Sequence, residues 1–372
     1  MSATGAGGGA SQPLPYDPAY ETPEPDEAET TAALVETMRG IAETTYQDEG
    51  VPLRSVHAKS HGLLRGRLQV LEGLPAALAQ GLFARPAEYP VVLRFSTNPG
   101  DLLDDSISVP RGLAVKVVGV EGARLPGSES AREQDFVLVN APVFAAPTAK
   151  AFLGSARLLA KTTDTPQGLK KAVSAVLRTA EAALEAVGGQ SATLTQMGGH
   201  PNTHPLGDSY FSATPFLYGR CMAKFAVVPV APSLLALRDR KVSVSGRPDA
   251  LREEILAHFA AQGAEWELRV QLCTDLAAMP IEDPSVEWPE AMSPYVTVAR
   301  ISAGAQPSWS EARSRAVDLG MAFSPWQGLA AHRPLGAVNR ARRPAYRMSS
   351  AFRAERSGCP MHHPRSADEL PI

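Results

Sequence analysis

The chain has 372 residues, of which 44% are hydrophobic, enough to build a substantial core in one large domain or two. Its 36 lysines and arginines against 39 acidic residues give a net charge of −3, so no basic excess would recruit nucleic acid or an anionic membrane surface. The three cysteines, Cys221, Cys273 and Cys359, form no C-x-x-C pair, which argues against a disulfide framework.

The two ends of the chain differ in composition from the main body. Residues 1–27 are rich in Gly, Ala, Ser, Pro and acidic residues, so they cannot offset the entropy of ordering and are predicted to form a flexible arm. Residues 28–358 are predicted to form one domain, and residues 359–372 a polar tail. Because no apolar run has the length of a membrane span and the N-terminus lacks a secretory signal, we expect a cytoplasmic protein without a membrane partner.

Hydrophobic periodicity predicts both helices and strands. Leu34, Met38 and Ile41 recur at helical spacing and predict an amphipathic helix over about 27–46. A last helix contains Tyr346 and ends near Gly358, and its start is predicted near Arg342 because Pro344 is tolerated only in a first helical turn. Strands are predicted at 63–71, 90–97, 112–120, 135–140, 221–230, 265–273 and 295–303, and further helices at 148–162, 167–187, 249–261 and 309–321.

The stretch LRSVHAKSHG, residues 53–62, places His57 directly ahead of the first predicted strand. A single histidine beside a strand is more often structural than catalytic, so its interpretation depends on the motifs that follow. Those motifs are RFSTN (94–98), PRGLAVKV (110–117), FVLVNAPVF (136–144) and NRARRPAY (339–346). Together the five ordered motifs are far more specific than any one of them.

In this order the motifs resemble those of the haem catalases, over a stretch from about Arg54 to Arg353. The resemblance implies an α+β fold, an antiparallel eight-stranded β-barrel of catalase type with surrounding helices, and the predicted strands accommodate that count. It also implies haem b as the cofactor and a homo-oligomer, either a dimer or a tetramer.

On the distal side of the haem, the resemblance assigns catalysis to His57, Ser96 and Asn140. A neutral imidazole suits proton transfer between the two oxygens of a peroxide, the serine can fix the ring orientation, and the amide can hold the second oxygen. Val56 and Phe144 would wall the pocket. Three alternative roles stay open: Ser96 could be an ordinary strand residue, Asn140 could form a turn, and Phe144 could pack in the core.

On the proximal side, the R-x-x-x-Y spacing places Arg342 and Tyr346 on one helix face, one turn apart. Tyr346 is the expected axial ligand of the haem iron, because coordination and a nearby guanidinium both favour the phenolate. A buried tyrosine of an amphipathic helix is the alternative. Arg54, Arg94 and Arg353 match the catalase arginines that neutralise the haem propionates.

These assignments predict a haem-dependent peroxidase that reduces hydrogen peroxide and small organic hydroperoxides with a small-molecule electron donor, and that has weak catalase activity. The chain is shorter than typical catalases and resembles the small catalase-related haem peroxidases, so we expect an open pocket.

The alternative functions are a hydroperoxide isomerase or pathway-specific haem oxidation enzyme, and a non-enzymatic haem carrier or sensor. Val56 argues against the isomerase, since the allene oxide synthases carry Thr there. The tail residues Cys359, His362 and His363 could hold a metal or a second haem, and the alternative is a polar tail without such a site.

Overall fold

The computed structural model describes residues 12–163 and 202–369, and the predicted helix over 167–187 lies outside them. The strands are β1 (Ser60–Val70), β2 (Glu88–Thr97), β3 (Arg111–Val118), β4 (Glu133–Val139), β5 (Tyr210–Phe211), β6 (Phe216–Tyr218), β7 (Cys221–Pro229), β8 (Ala264–Leu272) and β9 (Val296–Ala303). The helices are α1 (Glu27–Glu49), α2 (Ala149–Thr163), α3 (Pro232–Leu235), α4 (Ala250–Ala261), α5 (Glu311–Ser314) and α6 (Ala337–Ser357), with a π-helical turn at Arg315–Leu319.

The strands form a closed antiparallel barrel, as predicted. Its neighbour order is β5-β4-β3-β2-β1-β9-β8-β7, and β5 also pairs with β7, which closes a ring of eight strands. The short strand β6 is a ninth, paired in a hairpin with β7. Closure therefore depends on β5, which has two residues and is too short to show any periodicity in the sequence.

The barrel interior is filled by apolar side chains that alternate along the strands with outward-facing residues. Phe95, Phe136, Phe225 and Trp266 are buried in one continuous core. The rings of Phe136 and Phe225 meet edge to face with centroids 4.9 Å apart, an arrangement that aromatic quadrupoles favour. The core thus fixes the strand register that sets the site residues in place.

Three helices pack on one another outside the barrel. Leu34 and Ile41 of α1, Leu153 of α2 and Ala341 of α6 belong to one buried cluster, and Val56 packs against its edge. This layer positions α6, which carries Arg342 and Tyr346, beside the turn that carries His57, because Val56 precedes His57 directly in the chain.

The predicted start of the last helix near Arg342 is wrong, because α6 begins at Ala337 and Pro344 lies inside it. A proline within a helix costs roughly 3 kcal/mol, so the turns before it need support from elsewhere. That support comes from Arg340, whose guanidinium is held by three carboxylates. They belong to Glu21, Glu27 and Glu282.

Part of the predicted flexible arm is packed against the body. Among residues 12–26, Leu14, Tyr16 and Tyr20 contact a buried cluster that includes Trp288, and the Leu14 N–H donates to the Cys273 carbonyl at 2.9 Å. The overall composition of the segment gives no sign of these three residues, whose buried apolar surface offsets the entropy of ordering.

Candidate functional site

His57 lies in the turn between α1 and β1, in an unusual backbone conformation. Its φ is 55°, in the left-handed region that non-glycine residues rarely occupy. The backbone is held on both sides: its N–H donates to the Asn98 carbonyl at 2.6 Å, and its carbonyl accepts from Arg94 Nη2 at 2.7 Å. Such strain persists only where the surroundings over-determine it, and it is concentrated at functional sites.

The imidazole of His57 is oriented by two neighbours on the barrel. Its Nδ1 lies 3.1 Å from Ser96 Oγ on β2, and Gly112 on β3 lies so close that a Cβ there would come within 2.6 Å of the ring Cε1. Burial, together with the charges of Arg94, Arg342 and Arg54, lowers the pKa of His57 to about 3. The ring is therefore a neutral imidazole at physiological pH, with Nε2 left for a ligand.

Asn140 follows the end of β4 and is bonded through both ends of its amide. Oδ1 accepts the backbone N–H of Arg111 at 2.8 Å, and Nδ2 donates to Asp208 Oδ2 at 3.2 Å. The sequence did not single out Asp208, which lies 68 residues further along the chain. Nδ2 carries two hydrogens, so one of them remains for a ligand.

The predicted wall residues Val56 and Phe144 lie near a third apolar side chain, that of Phe152. The rings of Phe144 and Phe152 meet edge to face with centroids 5.1 Å apart, and Phe152 and Val56 both pack against the edge of the cluster of α1, α2 and α6. All three side chains are half-buried. They form an apolar surface that keeps part of its area accessible.

On α6, the guanidinium of Arg342 lies against the phenol of Tyr346. Arg342 Nη2 donates to the Tyr346 hydroxyl oxygen at 3.1 Å, and Nη1 donates to Asn339 Oδ1 at 3.1 Å. The R-x-x-x-Y spacing thus gives the predicted pairing although Pro344 lies between the two residues.

Arg54, Arg94 and Arg353 converge on Asp318, at the π-helical turn. Arg94 Nε donates to Asp318 Oδ1 at 2.6 Å, and Arg54 and Arg353 donate to the Asp318 main-chain carbonyl at 2.6 and 2.9 Å. Both also donate to the Met321 carbonyl, at 2.7 and 3.0 Å respectively. A π-helical turn redirects carbonyls in this way, and such turns are frequent at functional sites.

The charges of this arginine cluster are only partly compensated. Burial, with the neighbouring charges of Arg353 and Arg94, holds the pKa of Arg54 well below its usual value, and burial lowers the pKa of Arg353 to about 10. Burial alone would raise the pKa of Asp318, but the charges of Arg94 and Arg54 hold it below its usual range. Two of the three guanidinium groups therefore share the Asp318 carboxylate, and Arg353 is held by main-chain carbonyls.

Sequence reasoning missed Asp318. The available signal was an acidic residue between the apolar Val317 and Leu319, which is unusual for a buried helical face.

The described part of the C-terminal tail is docked on the body. His363 Nδ1 lies 3.2 Å from Glu133 Oε2, and the His362 N–H donates to the Gly320 carbonyl at 2.6 Å, while Cys359 is exposed. Over residues 12–163 and 202–369, no three His, Cys, Asp or Glu side chains are grouped so as to hold a metal ion. Within the same ranges, no helix is both long and apolar enough to span a bilayer.

Solved catalase structures are similar to this chain in fold. A fungal catalase superposes with a TM-score of 0.58 at 18% identity, covering 86% of this chain and 63% of the catalase. Catalase A from Saccharomyces cerevisiae gives 0.59 at 16%, covering 84% and 63%, and a bacterial catalase gives 0.57 at 17%, covering 89% and 61%. No family model matches the sequence, and no curated protein does. The chain therefore has the catalase fold and spans about three fifths of the length of the catalases it matches.

Proposed function

We propose that this protein is a haem-dependent peroxidase that reduces hydrogen peroxide and small organic hydroperoxides. The observation that carries the proposal is the pair of oriented groups at one site: a neutral His57 set by Ser96, and a Tyr346 phenol under the Arg342 guanidinium. The charge of Arg342 is among those that lower the pKa of His57, and Val56, next to His57 in the chain, packs against the same cluster as Ala337 and Ala341 of α6. The catalase fold supports a peroxide-handling oxidoreductase, and the choice of peroxidase is our proposal.

The arginine cluster fits haem b, whose two propionates are anionic. Arg54, Arg94 and Arg353 carry three positive charges against the single carboxylate of Asp318, which leaves a buried excess of two. In addition, the buried Nε of Arg353 has no hydrogen-bond partner within the described chain. Guanidinium forks pair well with carboxylates, so these residues would hold the propionates, and Tyr346 would ligate the iron.

When bound, haem b supplies an iron that coordinates peroxide and the redox chemistry of O–O cleavage. The chain's own residues handle the proton. Neutral His57 Nε2 accepts it from one peroxide oxygen and returns it to the other, while Ser96 fixes the ring through Nδ1. Asn140 holds the second oxygen through its remaining Nδ2 hydrogen.

Access to the site supports donor-dependent turnover. Val56, Phe144 and Phe152 are half-buried, so a small electron donor can approach across their exposed faces. We therefore propose peroxidase activity with a small-molecule donor and weak catalase activity. Val56 has no hydroxyl to bond to the histidine, which speaks against isomerase chemistry. A dimer or tetramer and a cytoplasmic location are part of the same proposal.

One assay series tests this function. Purified haem-loaded protein is mixed with hydrogen peroxide or an organic hydroperoxide, with and without an oxidisable phenol, while oxygen release and phenol oxidation are followed. We expect phenol oxidation to exceed oxygen release. Oxygen release faster than phenol oxidation would make the protein a catalase, and conversion of a fatty-acid hydroperoxide without any donor would make it an isomerase.

A further inference from the structure

The orientation of the Asn140 amide is fixed by the chemistry of its two partners. The backbone N–H of Arg111 can only donate, so the atom 2.8 Å from it must be the amide oxygen. The carboxylate of Asp208 can only accept when ionised, so the atom 3.2 Å from its Oδ2 must be the amide nitrogen. A flipped amide would lose both hydrogen bonds and place two acceptors together.

Asp208 is itself held rigidly. Its Oδ2 lies 3.0 Å from Arg111 Nε, and its Oδ1 accepts from the Thr203 hydroxyl at 3.3 Å. Arg111 donates further to the Thr203 hydroxyl at 2.8 Å and to the Thr203 carbonyl. The side chains of Arg111 and Asp208 are only 4% and 15% exposed, so solvent screens this network little.

Burial raises the pKa of Asp208, and the charge of Arg111 opposes that rise. The ion pair with Arg111 therefore favours the carboxylate form, the one that can only accept from the amide nitrogen.

We propose that Asp208 is the positioning residue of the distal amide. Paired with Arg111, its carboxylate holds the Asn140 Nδ2 group on the side opposite the Arg111 backbone N–H and leaves one Nδ2 hydrogen for the peroxide oxygen. The inference rests on the function proposed above. Asp208 does not touch the peroxide and acts only through Asn140. The carboxylate and the Arg111 backbone together hold both ends of the amide, although they come from segments far apart in the chain.

The test compares haem-loaded variants in their rate of reaction with hydrogen peroxide. Asn140→Ala, which removes a donor to the reacting oxygen, is expected to slow the reaction by about 10²-fold. Asp208→Ala is expected to slow it by roughly 10- to 100-fold. The double variant should be no slower than Asn140→Ala, because both single changes remove the same interaction with the peroxide.

Asp208→Asn keeps an oxygen that can accept from Asn140 and Arg111, so it should restore most of the rate. The matched control is Asp105→Asn, at an even more buried aspartate that pairs with Lys59 and touches none of the proposed distal residues. It should react like the wild type.

A second readout does not depend on turnover. Carbon monoxide is bound to the reduced haem-loaded protein, and its C–O stretching band is recorded, because a fixed donor near the ligand lowers the frequency and narrows the band. Asn140→Ala and Asp208→Ala should shift or broaden the band in the same way, and Asp105→Asn should not. If Asp208→Ala does not fold, Thr203→Val decides; it removes a hydroxyl bonded to both Asp208 and Arg111 and should broaden the band.

The outcomes separate the two proposals. If Asn140→Ala reacts at the wild-type rate, the proposed role of the distal amide fails. If Asn140→Ala is slow but folded Asp208→Ala is as fast as the wild type with an unchanged C–O band, only the positioning role of Asp208 is overturned. An unchanged band in Thr203→Val, where that variant has to decide, also overturns it.

Discussion

The imidazole Nδ1 of His57 lies 3.1 Å from the hydroxyl oxygen of Ser96, across the junction between a strained turn and a barrel strand. A hydroxyl can donate to a ring nitrogen or accept from it, so its contact fixes the orientation of the ring and directs the other nitrogen away from the strand. Because His57 reacts and Ser96 only orients it, replacing each residue is expected to have a different effect on the rate.

Replacing His57 by Ala is expected to slow the reaction with hydrogen peroxide by roughly 10²–10⁴-fold while haem stays bound, the range for a positioned acid/base. Ser96→Ala should have a milder effect, because it only loosens the ring. Stopped-flow absorbance of the haem-loaded proteins measures both. A His57→Ala protein that reacts at the wild-type rate would show that the histidine is structural.

Gly112→Ala should displace the His57 ring. A Cβ at position 112 would lie 2.6 Å from Cε1 and 2.7 Å from Nδ1 of His57, far closer than such contacts allow. A misplaced reacting group costs about 10²-fold in rate, and we expect a loss of that order with little loss of haem. Gly40→Ala is the control, since nothing lies within 4 Å of that added Cβ. Equal rates for both variants would contradict the proposed contact.

The pKa of His57, lowered to about 3 by burial, predicts a flat pH profile. The rate of the step that uses its neutral form should stay constant from pH 8 down to about pH 5, whereas an ordinary histidine would titrate near 6.5. A loss of rate centred near pH 6.5 that disappears in His57→Ala would refute this.

The same shift links His57 to stability. The unfolded chain takes up the proton near pH 6.5 and the folded protein does not, so the free energy of unfolding falls as the pH drops from about 6.5 towards 3. The slope from this one group approaches 1.4 kcal/mol per pH unit, about the value for one proton. Urea unfolding at several pH values, compared between the wild type and His57→Ala, isolates its share from that of the other histidines.

The sequence predicts those parts of the molecule that rest on local pattern. Strand β8, which buries every second side chain from Ala264 to Val270, and the pairing of Arg342 with Tyr346 both follow from spacing alone. The closing strand Tyr210–Phe211 does not, because two residues carry no period.

Local pattern marks Asp318 as an acidic residue between Val317 and Leu319, but it cannot predict its partner, because Arg94 lies 224 residues away and only the fold brings the two together. For the same reason the helix start before Pro344 was predicted wrongly: carboxylates from distant segments stabilise those turns.

Haem binding should depend on Tyr346. Tyr346→Phe removes the phenol oxygen, which is the only iron ligand that we propose from the protein, so the variant should purify largely free of haem. The ratio of haem absorbance to protein absorbance measures this. The matched control is Tyr295→Phe, at another shielded tyrosine whose ring packs edge to face on Phe211, and it should keep its haem. Full occupancy with an unchanged ferric spectrum in Tyr346→Phe would refute the ligand assignment.

Asp318→Asn tests whether Arg54, Arg94 and Arg353 bind the two haem propionates. Asp318 is buried and accepts from Arg94 and from the hydroxyls of Ser60 and Ser314, so its neutralisation leaves buried guanidinium groups without their carboxylate. Breaking a buried ion pair costs about 3–5 kcal/mol, and we expect a loss of that order in the haem-free protein.

In the haem-loaded protein the propionates would supply the missing negative charge, so the loss from Asp318→Asn should be clearly smaller. Urea unfolding of both forms measures the difference. Asp26→Asn is the control, because its ion pair with Lys150 is exposed and should contribute little to the free energy of unfolding in either form. Equal losses for Asp318→Asn with and without haem would mean that the propionates do not reach Arg54, Arg94 and Arg353.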